Sequence, residues 1–233
     1  MKITQLKIEG SWQIEFDKFS DDRGYFFESF KSNFCEENFK RPFKVEQSNT
    51  SLSKKGSIRG IHYALLPPSQ AKYVRCQNGS ILDFIVDIRL GSPTFGQHVS
   101  VELNAKNPTA VFIEEGLAHA FVALEENTVV TYLVNQTYNP QREKGINPFD
   151  SDLSIPWPNL ELILSEKDKN ENSFKFAQEN DLTLFKYGVA GHLIQGLTWA
   201  ITVGTMIKTI GGLIPGSNEK ETNAIALAAM VGV

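Results

Sequence analysis

The sequence predicts an all-β protein with the architecture of a jelly roll, and three observations support this prediction. Short segments rich in β-branched and aromatic residues recur through residues 1–165 at intervals of about ten residues. Turn-forming residues separate them, as in Asn78-Gly79 and Gly91-Ser92-Pro93. No long amphipathic helix alternates with these segments, which argues against a parallel α/β fold. Evenly spaced strands with turns between them are typical of a sandwich or barrel, and among these we expect a jelly roll.

Six segments carry the strand pattern most clearly, through alternation or through runs of β-branched and aromatic residues. In chain order they are Gly24–Phe30, Lys72–Cys76, Ile81–Ile88, His98–Leu103, Thr109–Ile113 and Thr128–Val134. A further strand includes Gln47, Asn49 and Ser51, whose spacing of two places three hydrogen-bonding side chains on one face. Residues 166–183 are highly polar and predict a short helix.

Composition limits the class of function. The net charge of −4 argues against nucleic-acid binding, which needs a basic face to neutralise phosphates. The two cysteines, Cys35 and Cys76, are far apart in sequence and form no metal-like or redox-like pair, so we expect free thiols in a reducing compartment. The N-terminal residues contain no apolar stretch typical of a signal peptide. We therefore expect a cytoplasmic protein.

The composition changes towards the C-terminus, and we predict a domain at 1–183 followed by an apolar, glycine-rich helical tail at 184–233. The stretch 189–214 is long enough to span a bilayer. However, it contains His192, Gln195 and Lys208, which disfavour insertion. Gly196, Ala200 and Gly204 repeat at a spacing of four, which favours close packing of helices. We interpret the tail as a helical hairpin, with membrane contact as the less favoured alternative.

Polar side chains of distinct chemistry occur within apolar surroundings in several segments. Taken singly, each has an ordinary structural explanation, such as a core histidine or tyrosine or a solvated carboxylate. Their combination favours a site that moves protons. The four histidines include no closely spaced pair, so we predict no metal site, and no glycine-rich phosphate loop is present. The candidates are Arg59, His62, Lys72, His119, Tyr132 and Asp168.

Five separated motifs, in order over most of the predicted domain, resemble the dTDP-4-dehydrorhamnose 3,5-epimerase family. They read DDRGYFFESF, QSNTSLSKKGSIRGIHY, AKYVRCQNGSILDFIVDIRLGSPTFGQ, EEGLAHAFVALEENTVVTYLVNQTY and IPWPNLELILSEKD. The resemblance implies a cupin-type jelly roll, a double-stranded β-helix. It also implies an isomerase that inverts carbons of a dTDP-4-keto-6-deoxyhexose without a cofactor.

The resemblance assigns a chemical role to four residues. His62 matches the family's base, and Tyr132 matches its acid on the opposite face of the sugar. Asp168 matches the carboxylate that orients the histidine, and Lys72 matches a lysine near the C4 oxygen. Neutral imidazole is a suitable base near pH 7, and inversion requires that the new proton come from the other face.

The resemblance also implies a substrate-binding set and a homodimer. In the family, N-terminal strands are shared between subunits, so Arg23, Phe26 and Glu28 are expected to serve a neighbour's site. Tyr138 is the candidate contact to the nucleotide, and Arg59 with Arg23 is expected to pair with the pyrophosphate. The full set of substrate-binding positions is Arg23, Phe26, Glu28, Gln47, Asn49, Arg59, His119, Tyr138 and Glu143.

Two alternatives remain open at the level of sequence. The segment between His62 and Lys72, with its proline pair and Ala71, is similar to the branch of the family that acts in other deoxysugar pathways. Members of that branch invert only C3 or only C5, so the sequence does not decide which carbon reacts. The alternative from another class is a jelly-roll module that binds a sugar nucleotide without catalysis. The presence of a base, an acid, an orienting carboxylate and an oxyanion donor argues against it.

Overall fold

The computed structural model describes residues 1–39, 42–66 and 69–182, and most regular structure in them is β. Thirteen strands and three short helices lie within these residues. The strands are β1 (Lys2–Gln5), β2 (Ser11–Glu15), β3 (Phe19–Asp21), β4 (Gly24–Phe26), β5 (Gln47–Ser53), β6 (Ile58–Ala64), β7 (Lys72–Asn78), β8 (Ser80–Asp87), β9 (His98–Asn104), β10 (Thr109–Ile113), β11 (Leu117–Ala123), β12 (Thr128–Val134) and β13 (Glu143–Gly145). The helices are α1 (Ser32–Phe39), α2 (Glu166–Lys169) and α3 (Phe174–Asn180).

Eleven of these strands form two antiparallel sheets that pack face to face. One sheet has the order β1-β2-β10-β7-β12-β5, and the other has the order β13-β6-β11-β8-β9. Strands that follow one another in the chain often lie in opposite sheets, as β6 and β7 do, and β11 and β12. The strands β3 and β4 form a separate hairpin. This arrangement is the predicted jelly roll.

The space between the sheets is filled by alternate residues of strands from both. Ile81 and Ile85 of β8 point inward and pack in one cluster with Val74, Val111 and Phe121. Burial of one such aliphatic side chain contributes about 1.5–3 kcal/mol. The alternation of side chains along each strand therefore fixes which residues line the interior.

The outer faces of both sheets are covered as well. Phe84 of β8 packs against Trp157, with ring centroids 4.8 Å apart, because residues 146–182, the C-terminal segment of the described chain, lie over the five-stranded sheet. On the six-stranded sheet, Phe39 of α1 stacks on Phe112 of β10 at 4.8 Å. Buried polar side chains such as Lys72, Asp83 and His119 are exceptions in this largely apolar interior.

Most of the predicted strands are confirmed, with one correction. Thr109–Ile113 and Thr128–Val134 have the predicted bounds. The predicted strand Gly24–Phe30 is wrong beyond Phe26, because the chain leaves the short β3–β4 hairpin there and Phe27–Phe30 pair with no strand. The predicted helical character of 166–183 is confirmed by α2 and α3.

The predicted tail at 184–233 lies outside the described residues, so its structure and the domain boundary at 183 stay predictions. Within the described part of the chain, the helices fall short of the length and hydropathy that a membrane crossing requires.

Candidate active site

A cleft of about 710 Å³ opens between the two sheets. Strands β5, β7 and β12 form one wall, and β6 and β11 form the opposite wall, with α2 at the rim. Seven predicted site residues line this cleft: Asn49, Arg59, His62, Lys72, His119, Tyr132 and Asp168. The fold therefore brings together side chains that are separated by up to about 120 positions in sequence.

The polar row on β5 faces the interior as its period of two predicts. Gln47, Asn49 and Ser51 are half-buried, whereas the residues between them are exposed. The Gln47 side-chain amide donates to Asn49 Oδ1 at 2.7 Å, and its carbonyl accepts the Tyr138 backbone N–H at 2.8 Å. Gln47 thus holds Asn49 at the cleft and fixes the backbone of the segment that carries Tyr138.

His62 and Asp168 form a hydrogen-bonded pair at the cleft. The His62 Nε2 lies 2.8 Å from Asp168 Oδ1. The Asp168 side chain is almost fully buried, whereas the His62 ring is about one third exposed. A carboxylate on one ring nitrogen fixes the tautomer and orientation of the imidazole and stabilises its protonated form. The other ring nitrogen is left to act on a ligand.

The position and charge of Asp168 are set by the N-terminus of α2. The Ser165 Oγ accepts the Asp168 backbone N–H at 3.0 Å, which caps this helix. Burial raises the pKa of the Asp168 carboxyl, but the hydrogen bond and charge of His62, the Ser165 hydroxyl and the Lys167 charge lower it by more. The net effect is a lowered pKa, so Asp168 is ionised beside the imidazole at neutral pH.

A close approach between β6 and β11 places two histidines side by side. His62 of β6 pairs with His119 of β11, and the register shifts just after this pair. Gly60 has φ +123°, and a Cβ on it would lie 2.5 Å from the Ala120 Cβ. Only glycine suits this position, because any side chain would meet the neighbouring strand and adopt a strained conformation.

Lys72 projects from β7 on the wall opposite His62 and is buried, with 7% of its surface exposed. Burial lowers the pKa of its ammonium group, and the negative charges of Glu143 and Asp83 counteract this effect in part. A buried ammonium in a cleft is suited to stabilise negative charge that develops on a ligand oxygen.

Tyr132 lies on the same wall as Lys72, in register with Asn49 on the neighbouring strand. Burial raises the pKa of its phenol, Glu143 raises it further, and Arg59 lowers it. The ordinary pKa of tyrosine is about 10. Tyr132 is therefore protonated at neutral pH and can donate a proton across the cleft from His62.

His119 is held by a carboxylate that the sequence analysis did not identify. The His119 Nε2 lies 2.7 Å from Asp83 Oδ2, and both side chains are buried. Asp83 lies on β8, the strand paired with β11, and points between the sheets in line with Ile81 and Ile85. The available sequence signal was a lone acidic residue in the otherwise apolar run Ile81–Val86.

Arg59 lies at the mouth of the cleft with an exposed guanidinium group. Its Nε donates to Ser53 Oγ at 3.1 Å, and an Nη donates to the Leu52 carbonyl at 3.3 Å. Lys167 on α2 lines the same opening. Two cationic side chains at one opening suit an anionic ligand such as a phosphate.

Six predicted binding residues do not line the cleft. Gln47 supports it from behind, and Glu143 acts on Lys72 and Tyr132 through its charge. Tyr138 is 58% exposed. Arg23, Phe26 and Glu28 are exposed near the β3–β4 hairpin and lie outside the cleft.

Further residues that line the cleft were missed by sequence reasoning. Ser165 carried a recognisable signal, since Ser165–Asp168 reads Ser-x-x-Asp before a short helix. The others gave none, because a serine or isoleucine on a strand is equally common away from sites. They are Ser48, Thr50, Ser57, Ile58, Phe121, Ile163, Leu164 and Lys167, whereas Ser51 belongs to the polar row already predicted for β5.

The arrangement can move a proton from one face of a ligand to the other. A histidine–carboxylate pair stands on one wall and a protonated phenol on the other, with an ammonium group between the sheets. Among the residues that the structure describes, no three His, Cys, Asp or Glu side chains are grouped closely enough to hold a metal ion.

Comparison with known proteins gives concordant matches. The family model described as dTDP-4-dehydrorhamnose 3,5-epimerase matches residues 5–175. The dTDP-4-dehydrorhamnose 3,5-epimerase of Mycolicibacterium smegmatis is 45% identical over 179 residues, which is 76% of this chain and 88% of that protein. A dTDP-4-dehydro-6-deoxyglucose 3-epimerase of Streptomyces is 43% identical over 174 residues, which is 74% of this chain and 89% of the relative.

Solved structures agree with these matches. The rmlC epimerase of Mycobacterium tuberculosis superposes with a TM-score of 0.79 at 39% identity, and the match covers 84% of this chain and 99% of that one. A 3'-monoepimerase of Streptomyces bikiniensis, solved in complex with dTDP-quinovose, gives a TM-score of 0.73 at 42% identity. That match covers 76% of this chain and 90% of the other.

Proposed function

The chain belongs to the dTDP-4-dehydrorhamnose 3,5-epimerase family, and on this premise we propose that it inverts C3, C5 or both in a dTDP-4-keto-6-deoxyhexose. The chain is thus an isomerase with a cupin-type jelly roll, as the sequence resemblance predicted. The reaction that we propose uses only side-chain acids and bases. One observation carries it: the His62–Asp168 pair and the Tyr132 phenol stand on opposite walls of one cleft.

The proposed reaction begins with removal of the proton on a carbon beside the C4 ketone. The C–H electron pair forms a C=C bond, the electrons of the C4 carbonyl move onto its oxygen, and the proton goes to His62. The Tyr132 phenol then gives its proton to the same carbon from the opposite face, and the C4 carbonyl forms again. Transfer of the His62 proton to the Tyr132 phenolate through solvent completes the cycle. General acid–base steps of this kind contribute about 10²- to 10⁴-fold each.

The enolate oxygen needs donors while it carries negative charge. Lys72 is a buried cation between the walls, and His119 lies beside His62 on the neighbouring strand. We assign both to this oxygen, where removal of one such donor typically slows a reaction by about 10²- to 10³-fold. Glu143 supports Lys72 through its charge.

The dTDP part is proposed to bind at the rim of the cleft. Arg59 is the candidate for the pyrophosphate, and the exposed Tyr138 ring is the candidate for the base. Arg23, Phe26 and Glu28 would reach the corresponding rim of a partner subunit in a homodimer. Cys35 and Cys76 are free and buried, which is consistent with the reducing cytoplasm where we place the reaction.

The function is tested with dTDP-4-keto-6-deoxyglucose in heavy water, by NMR detection of deuterium at C3 and C5. Deuterium at both carbons supports a 3,5-epimerase, and deuterium at one carbon supports the single-carbon activity that some relatives carry in their names. Tight binding of the nucleotide sugar without exchange at either carbon contradicts the proposal and favours a binding module.

Two variants test the assignment of base and acid. We expect His62→Asn to stop both exchange and inversion, because no other group takes the proton. Tyr132→Phe is expected to slow inversion by about 10²-fold or more while exchange at the His62 face continues. His98→Asn and Tyr73→Phe, which change residues outside the cleft, are matched controls that should keep the wild-type rate. Normal inversion by Tyr132→Phe contradicts its role as the acid.

A further inference from the structure

A buried acidic residue on β8 is placed where the fold alone would favour an apolar one. Asp83 is 1% exposed and points between the sheets, in line with Ile81 and Ile85 along the strand. Its neighbour across the ladder is Phe121 of β11. A carboxylate in this setting destabilises the fold unless partners compensate for the lost hydration.

The hydrogen bonds of Asp83 compensate for this burial only in part. Its Oδ2 lies 2.7 Å from His119 Nε2, but its Oδ1 has no hydrogen-bond partner among the described residues. By contrast, Asp87 on the same strand face accepts hydrogen bonds from Arg89, Ser92 and Thr94. Both carboxylate oxygens of Asp87 are hydrogen-bonded, as in a structural residue, whereas Asp83 has one oxygen without a partner in the described part of the chain.

Two cleft residues interact with the Asp83 side chain. His119 is held directly, and Lys72, on the opposite wall, has its pKa lowered by burial and raised in part by Glu143 and Asp83. The two acidic side chains lie on different strands, Asp83 on β8 and Glu143 on β13. Two strands therefore contribute the negative charges that raise the pKa of Lys72.

We propose that Asp83 is a positioning residue for the epimerisation, which fixes the His119 ring through Nε2 and supplies negative charge that balances Lys72 at the base of the cleft. This inference rests on the proposed function. Lys72 and His119 lie on opposite walls of the cleft. Both can donate to one enolate oxygen only when their orientation and protonation are set before the reaction.

The test removes the charge of Asp83 and keeps the shape of its side chain. Asp83→Asn retains an oxygen that can accept from His119, but it removes the charge near Lys72. We expect deuterium exchange at the reacting carbon to slow by at least about tenfold, less than complete loss of an oxyanion donor. We also expect the high-pH limb of the exchange rate to move to lower pH, because Lys72 loses one of the two carboxylates that raise its pKa. The affinity for dTDP should stay unchanged.

Asp87→Asn is the matched control, since it removes a buried carboxylate from the same face of the same strand outside the cleft. We expect it to lower the melting temperature without moving the high-pH limb. If Asp83→Asn keeps the wild-type rate and pH profile, or changes only the melting temperature as Asp87→Asn does, Asp83 has a structural role and the proposal is wrong.

A measurement that needs no turnover separates this inference from the proposed function. The Lys72 titration is followed by NMR of its ¹³Cε, assigned with Lys72→Met, and the His119 ring by ¹⁵N shifts. In the wild type we expect a protonated Nε2 on His119, and in Asp83→Asn a lower midpoint for Lys72. If Asp83→Asn does not fold, the wild-type His119 spectrum decides alone: an unprotonated Nε2 overturns the proposal. Absence of exchange in the wild type would overturn the epimerase function and leave these spectra interpretable.

Discussion

At the scale of single residues, the cleft holds two acidic side chains, a phenol and a carboxyl group, and their surroundings move the two pKa values further apart. Burial and the charge of Glu143 raise the pKa of the Tyr132 phenol, so it remains an acid. The His62 hydrogen bond and neighbouring donors outweigh burial and lower the pKa of Asp168, so it remains a carboxylate. Such divergence between neighbouring titratable groups is how one site provides both an acid and a supported base.

Substitution of Asp168 tests whether it works through His62. We expect Asp168→Asn to slow deuterium exchange by about tenfold or more, because the imidazole loses the charge that supports its protonated form. Nucleotide affinity should be unaffected, since Asp168 acts behind the histidine. Asp181→Asn is a suitable control, because Asp181 accepts a hydrogen bond from Tyr63 at 2.8 Å outside the cleft. Equal rates for the two variants would contradict the assigned role.

The same variant makes a prediction about pH and stability. The pKa of Asp168 is lower in the folded than in the unfolded protein, where it is about 3.9. Its ionised form therefore stabilises the fold above about pH 4, and this stabilisation is lost as pH falls through the folded pKa. Urea unfolding should show a difference between wild type and Asp168→Asn at pH 7 that shrinks below about pH 4.

Sequence reasoning found the residues that we propose to act on a ligand better than the residues that hold them. His62, Lys72 and Tyr132 stood out because their chemistry contrasts with an apolar strand. Asp83 and Ser165 act through a neighbour, and that neighbour is 36 positions away for Asp83. Such pairings depend on strand register, which a sequence without tertiary contacts does not specify.

At the scale of elements, burial on two faces explains which strands could be predicted. The run of β8 is nearly all apolar because one face packs between the sheets and the other packs under the C-terminal segment. In β6 and β11, His62 and His119 interrupt the pattern, and glycine and alanine replace bulkier residues where the two strands approach closely. These residues have weak β propensity, so the strands that carry the site were the harder ones to predict.

The helix α2 offers a prediction at this scale, because its cap also positions Asp168. Ser165→Ala removes the acceptor for the Asp168 N–H and should destabilise the protein by about 1 kcal/mol. Since α2 has only four residues, loss of the cap should also move Asp168 relative to His62. We expect the exchange rate to fall by several-fold, with nucleotide affinity unchanged.

Ser173 provides a control of the same chemistry. Its Oγ accepts the Phe176 N–H at 3.1 Å and caps α3, away from the cleft. Ser173→Ala should cause a similar loss in the free energy of unfolding while the exchange rate stays at the wild-type value. A similar fall in rate for both variants would indicate that general loss of stability, and not the position of Asp168, limits turnover.

At the scale of the whole molecule, one subunit presents an apolar hairpin that its own fold does not bury. Phe19 and Phe26 are 61% and 65% exposed, and Tyr25 between them is 50% exposed. Leu52, on the edge strand β5 beside the mouth of the cleft, is 64% exposed. Exposed aromatic residues and an unpaired sheet edge are both typical of interaction surfaces. They support the proposed homodimer, in which Arg23, Phe26 and Glu28 would complete the partner's cleft.

Mixing two inactive variants tests whether each subunit completes the cleft of its partner. Arg23→Ala weakens the segment given to the partner, and His62→Asn removes the base of a subunit's own cleft, so each homodimer should be nearly inactive. In a mixed dimer, the Arg23→Ala subunit keeps its own His62 and receives an intact segment from its partner, so one of two clefts is complete. With statistical mixing, half of the dimers are mixed, and activity should return to about one quarter of the wild-type value. If activity does not rise on mixing although mixed dimers are shown by mass spectrometry, Arg23 serves its own subunit.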